Sequence, residues 1–260
     1  MRAGEGAMSK LQLCLTTLLV AAAAVAAAVD PPCGWDATQP RLAPSLPLPI
    51  AVLPNNAEIS PPSKQSASYE DQVMELVNQQ RWNNGQLPPL KRVDLLDNSS
   101  ETHSHNMGTR NFFAHCDLDT LSSPWERMVA AGYNWSSASE NIAAGYPTPS
   151  AVIAGWMGSS GHRANILSTS YRELGIGYVY DSSDSGNVRF DQNGDCVTDS
   201  TGNGPYGAYW TQNFGRRNSV YPVVIDREAY DTETRSVQLY LYGSGWASEM
   251  RIRNESGSWT

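Results

Sequence analysis

Three ionisable side chains sit inside phrases that are otherwise apolar or tightly turned. His115 closes Asn111-Phe112-Phe113-Ala114-His115, Glu140 opens Glu140-Asn141-Ile142-Ala143, and His162 lies in Gly161-His162-Arg163-Ala164-Asn165-Ile166-Leu167. An imidazole or carboxylate taken out of water is costly unless it is paired or hydrogen-bonded. A fold that accepts these phrases must therefore bring partners to all three. The simplest expectation is one cleft, with residues 103–177 as the stretch around which the rest is organised.

The elements follow from periodicity. Tyr69–Trp82 reads as a helix, with an apolar stripe of Val73, Met74, Leu76 and Val77 and acids in its first half. Val93–Asn111 is a second helix. Pro124–Ala131 is a third, capped by Ser123 with Pro124 at its first position. Thr148–Met157 is a fourth, and Arg163–Leu167 a short further turn. The period then changes: Leu174–Tyr180 and Tyr206–Phe214 read as strands, separated by a polar loop with a short strand at Val188–Phe190. Helices followed by neighbouring strands predict an α+β fold, an antiparallel sheet covered by helices.

Outside that region the chain changes character. Arg2 and Lys10 precede an apolar run, Leu11 to Val29, that ends in small residues, so residues 1–28 read as a secretory signal peptide and the protein as secreted, extracellular or at the cell surface. An uncleaved membrane anchor is the alternative; membrane contact is otherwise expected only through this segment before cleavage. Residues 29–68 are a Pro-rich linker. Residues 218–260 hold strand-like Val237–Tyr242 and Met250–Arg253, too short a stretch for its own core, and read as the truncated opening of a β-sandwich-like segment of a longer chain. The net charge of −8 argues against nucleic acid, whose phosphates require clustered Lys and Arg. Cleavage leaves Cys33, Cys116 and Cys196. Cys116 and Cys196 lie in the structured region and are the expected disulfide, with three free thiols as the alternative.

Residues 69–217 resemble the CAP superfamily, or SCP domain, in its bacterial secreted form. The matching pieces are His103-Ser104 with Met107, Phe112 to His115, Ala131-Gly132-Tyr133, Glu140 to Ala143, Gly155-Trp156-Met157, Gly161 to Leu167, Gly175-Ile176-Gly177 and Tyr209 to Gly215. The resemblance implies an α-β-α sandwich. It also implies a central cleft of two His and two acids, in some members binding a divalent metal. His115 matches the first His, Glu140 the first Glu and His162 the second His. The second Glu has no counterpart; Trp156-Met157-Gly158-Ser159-Ser160 occupies its region.

Two imidazoles and a carboxylate suit a divalent metal such as zinc, with His115 and His162 as ligands. Without metal, one His would pair with Glu140. A purely structural alternative has Glu140 accepting backbone N–H bonds and His162 tethering the loop after the fourth helix. His103 and His105 point about 200° apart on a helix, which puts His103 at the cleft rim and His105 in solvent. Ser159 is a second rim candidate, but no Gly-x-Ser-x-Gly or His-Glu-x-x-His signature is present. Asp191, Asn193 and Asp195 alternate like calcium ligands, yet the glycine is misplaced, so a solvated polar loop is favoured. Trp156 reads as core and Trp135 as a surface aromatic.

The function these features favour is a non-catalytic extracellular binding module for a lipid, sterol or cell-wall glycan. One alternative is a divalent-metal-dependent hydrolase or peptidase with Glu140 as general base. Another is an adhesive or structural segment of a longer surface protein.

Overall fold

The computed structural model describes residues 67–232, 236–243 and 249. The signal segment, most of the linker, Cys33 and the strand expected at Met250–Arg253 lie outside the described residues.

Helix α1, Tyr69–Asn83, starts where Ser68 and Asp71 cap each other reciprocally: Asp71 N–H donates to Ser68 Oγ at 3.1 Å and Ser68 N–H to the Asp71 carboxylate at 3.0 Å. After strand β1, Lys91–Arg92, helix α2 spans Asp94–Thr109. It stops short of Asn111 because that residue is left-handed, φ 55°, a conformation a helix cannot continue through. Strand β2, Phe112–Phe113, follows, then α3, Pro124–Ala130, which Ser123 and Glu126 open with a second capping box. Strand β3 is Ser137–Ala144, α4 is Pro149–Gly158 and α5 is Ser160–Leu167. The remaining strands are β4 Glu173–Tyr180, β5 Val188–Phe190, β6 Ser200–Gly202, β7 Ala208–Arg216, β8 Val223–Ile225 and β9 Leu239–Leu241.

The main sheet has the order β1-β4-β7-β3, with β7 antiparallel to both β4 and β3. One face of β4 carries Gly175 and Gly177, and α2 lies directly on them. A Cβ at Gly175 would fall 2.1 Å from the Leu96 carbonyl carbon, and one at Gly177 2.2 Å from that of Ser100. Only the absence of side chains lets the helix backbone come so close. The other face of the same strand, with Leu174 and Ile176, joins Val73, Met74, Val77, Val152, Trp156, Trp210 and Phe214 in a core shared by α1, α4 and α5. The sheet is mixed rather than purely antiparallel, because the short β1 runs parallel to β4; helices on both of its faces make the α-β-α sandwich of an α+β fold.

A small sheet, β2-β5-β6, packs beside β3 through Phe112, Phe113, Val188, Phe190 and Ile142. The Cys116–Cys196 disulfide fastens it, as the sequence predicts. Trp156 is core and donates its indole N–H to Ile142 C=O at 3.1 Å. Trp135 is half-buried against Trp125, ring centroids 5.9 Å apart.

The segment after β7 docks on α1 and β1. Glu228 accepts from Lys91 Nζ at 2.8 Å, Asn78 donates to Arg227 C=O at 2.8 Å, the Arg227 guanidinium lies 3.8 Å over the Trp82 ring, and Tyr242 Oη donates to Pro89 C=O at 2.8 Å.

Candidate functional site

Strand β3 is the edge of the main sheet, and alternation along it sends neighbouring side chains to opposite faces. Glu140 pairs in register with Asn213, on the α2 face; Asn141 pairs with Gln212, on the α1/α4/α5 face. The site is built around that alternation.

On the α2 face, Glu140 is buried, its side chain 1% exposed. His115 Nδ1 lies 2.8 Å from Glu140 Oε1, and Arg127 of α3 donates from Nη2 to Glu140 Oε2 at 2.7 Å. Both carboxylate oxygens are therefore taken. Burial pushes the Glu140 carboxyl up, but the Arg127 guanidinium and the neighbouring imidazoles outweigh it and hold the group down at about 2. An ionised carboxylate only accepts, so His115 Nδ1 is the donor. Its Nε2 is the ring nitrogen that Glu140 does not engage, on a side chain 32% exposed.

The chain that carries His115 is held just as firmly. Arg127 Nη1 donates to His115 C=O and to Ser122 C=O, each at 2.8 Å. His103 Nε2 lies 2.9 Å from Ala114 C=O, which makes Nε2 the donor. Expected at the rim, His103 is instead fully buried in α2, because Met107 one turn on and Phe112, 5.8 Å from its ring, turn that face of the helix inward. Burial, with Arg127 close by, pushes its imidazole down to about 3, so it is neutral. His105, on the opposite face, is exposed.

On the other face, Asn141 Nδ2 donates to His162 C=O at 3.2 Å and to Gln212 Oε1 at 3.1 Å, while Asn165 Nδ2 donates to Asn141 Oδ1 at 2.8 Å. Asn141 thus ties β3 to the main chain of α5 at His162. Arg81, buried at the end of α1, fixes the far end of that helix by donating to Ile166 C=O and Ser168 C=O at 2.7 Å each. Ser159 is the half-buried hinge between α4 and α5, and its C=O accepts from Arg163 N–H at 2.9 Å.

Among the described residues, one trio of His, Cys, Asp or Glu donor atoms lies within 4.8 Å: Cys116, Asp191 and Cys196. Its sulfurs are joined to each other, and Asp191 accepts from the N–H groups of Asn193, Gly194 and Cys196. Asn193 and Asp195 likewise accept from Asp195 and Val197 N–H. The alternating acids of this loop are turn caps. His115, Glu140 and His162 do not form such a trio. Glu140 stands behind His115 as its orienting carboxylate.

Arg127, Asn141, Asn165 and the burial of His103 were not legible as site features. Arg127 looks in sequence like the basic residue that commonly ends a helix.

This fold, with its His–Glu pair on the edge strand, is that of the CAP proteins. The chain belongs to the cysteine-rich secretory protein family, whose model matches residues 74–214. It is 39% identical over 135 residues to the uncharacterized protein YkwD of Bacillus subtilis, covering 52% of this chain and 51% of that protein. It is 30% identical over 117 residues to the uncharacterized membrane protein YlbC of the same organism, covering 44% and 32%. The chain thus spans about half the length, or less, of these relatives. Among solved structures it is similar to an extracellular SCP-domain protein from Bacillus anthracis, 28% identical, TM-score 0.44, covering 57% of this chain and 40% of that one. A cysteine-rich secretory protein from Staphylococcus aureus is 17% identical, TM-score 0.38, covering 60% and 41%.

Proposed function

We propose that the chain is an exported binding module whose working group is His115 Nε2, presented at the sheet edge to a ligand that offers a hydroxyl or amide hydrogen. A sterol, a lipid head group and a cell-wall glycan all supply such a donor. The observation that carries this reading is the engagement of both Glu140 oxygens: with one on His115 and the other on Arg127, the carboxylate orients the imidazole and is too weakly basic to abstract a proton from substrate. That disfavours Glu140 as the general base of a hydrolase. Export rests on the apolar stretch Leu11–Val29; among the described residues no helix is long and apolar enough to cross a membrane.

The test is to add detergent-solubilised cholesterol, whose 3-hydroxyl is free, or a soluble muropeptide to the full chain and follow the His115 imidazole by NMR. Saturable shifts that disappear in His115→Gln support the reading. No response to either probe at millimolar concentration counts against it.

A second reading has the same imidazole ligate a divalent ion with His162. A carboxylate on the far ring nitrogen is the usual outer partner of a metal-bound His, and it favours this arrangement. A bound ion supplies Lewis acidity; Glu140 and Arg127 would still only hold the ring. Zinc titration by calorimetry, with His115→Ala and His162→Ala alongside, tests it. Heat that persists in both variants removes it.

A further inference from the structure

We propose that His103 is a positioning residue for His115: from the buried face of α2 it fixes the main chain that carries the site imidazole. The proposal rests on the reading of His115 Nε2 as the working group.

His103 donates to Ala114 C=O at 2.9 Å, and Arg127 donates to the next carbonyl, His115 C=O, at 2.8 Å. Each carbonyl lies in a planar peptide unit. Two donors, from α2 and from α3, therefore orient the two peptide planes that flank the His115 Cα. With both planes fixed, the direction of the Cα–Cβ bond is fixed too, and the ring arrives at Glu140 Oε1 with Nδ1 leading. One residue further, Cys116 is anchored to Cys196. Four side chains from four places in the sequence converge on three consecutive residues, and His103 is the one that reaches Ala114.

The arrangement has a cost that core packing alone would not require. His103 Nδ1 is buried with no hydrogen-bond partner, and an unmet buried acceptor is unfavourable. A leucine would fill the position among Met107 and Phe112 without that penalty. The bond to Ala114 is what an imidazole provides and a hydrocarbon cannot.

The experiment is long-range proton–nitrogen NMR of the imidazoles in the full chain, comparing wild type with His103→Leu and His103→Gln. The glutamine amide nitrogen stands about where imidazole Nε2 does and retains the donor. In wild type, neutral His115 should carry its proton mainly on Nδ1. In the leucine variant the ratio of Nδ1–H to Nε2–H forms should fall roughly tenfold, the scale of one weakened charge-assisted hydrogen bond. Glutamine should restore it. If the leucine variant does not fold, His103→Asn, whose amide is too short to reach Ala114, replaces it with the same expectation. A single Nδ1–H tautomer in either donor-less variant overturns the proposal. The outcome is separable from ligand binding: wild type that binds no probe sinks the functional reading and leaves the tautomer comparison intact.

Discussion

Glu140 and Asn141 are adjacent in sequence and serve opposite faces of the sheet. Glu140 holds the ring of His115 on the α2 side, and Asn141 holds the main chain at His162 on the α5 side. One dipeptide on an edge strand thus organises both halves of the site. Its residues are also strongly coupled to their partners, which makes the arrangement testable.

Arg127→Met leaves the buried Glu140 carboxylate without its guanidinium, held by His115 alone. Breaking a buried pair from one side costs about 3–5 kcal/mol, and urea unfolding should show a loss of that size. Arg127→Met with Glu140→Gln should recover part of it. A double-mutant cycle giving no coupling would show that the pair is not maintained in solution.

The pH dependence of stability follows from two groups with the same sign. His103 is held at about 3 against an ordinary 6.5, and Glu140 at about 2 against 4.5. In each window the unfolded chain binds more protons than the folded one, so stability is lost as pH falls. The advantage of wild type over His103→Gln should shrink by about 1.4 kcal/mol per pH unit as pH drops below 6.5. The advantage over Glu140→Gln should shrink in the same way from 4.5 downwards. Asp97 has the opposite sign: burial raises it from 3.8 to about 6 despite Arg92. The folded chain then holds the extra proton, and stability falls as pH rises through that window. Asp97→Asn should abolish that fall. Parallel pH profiles for wild type and all three variants would contradict these assignments.

The disulfide joins residues 80 apart. Chain entropy puts an upper figure of about 4.5 kcal/mol on such a cross-link, and a measured loss of about 2–4 kcal/mol is expected for Cys116→Ala with Cys196→Ala. Because Cys116 follows His115 directly, the His115–Glu140 contact should loosen in the same variant. Thermal unfolding with the imidazole spectrum of His115 reads both effects.

Gly177→Ala places a methyl 2.2 Å from the Ser100 carbonyl carbon, with backbone rather than a movable side chain in the way. Overpacking of this kind costs about 1–3 kcal/mol or more. Gly158→Ala is the control: nothing lies within 4 Å of the added Cβ. On helix propensity it should stabilise by up to about 1 kcal/mol. Melting temperatures that move the same way in both would overturn the close approach of α2 to β4.

Much of this architecture was legible in the sequence, and the exceptions have physical reasons. The long helices announce themselves by an apolar period or by explicit capping residues, and β4 and β7 by runs rich in aromatic and β-branched residues. Strand β3 does not. It opens Ser-Ala-Ser-Glu-Asn, residues with little strand preference, and both of its faces are covered, so polar and apolar positions fail to alternate. Two-residue strands such as β1 and β2 have no period to read. His115 and Glu140 were visible as partners because each sat in apolar company. Arg127 was not, since a cation near a helix end has an ordinary explanation on the surface. The opposite exposures of His103 and His105 follow from helical geometry, but which of the two faces inward depends on where Phe112 and Met107 pack.

The docking of residues 219–232 and 236–243 bears on how the molecule responds to pulling. Tension applied beyond Tyr242 meets the Tyr242–Pro89, Glu228–Lys91 and Arg227–Asn78 contacts before it reaches β7. The load enters through α1 and β1, at the opposite edge of the main sheet from β3. A tug on this end is therefore taken up with β4 and β7 standing between it and Glu140, the carboxylate that holds the His115 ring.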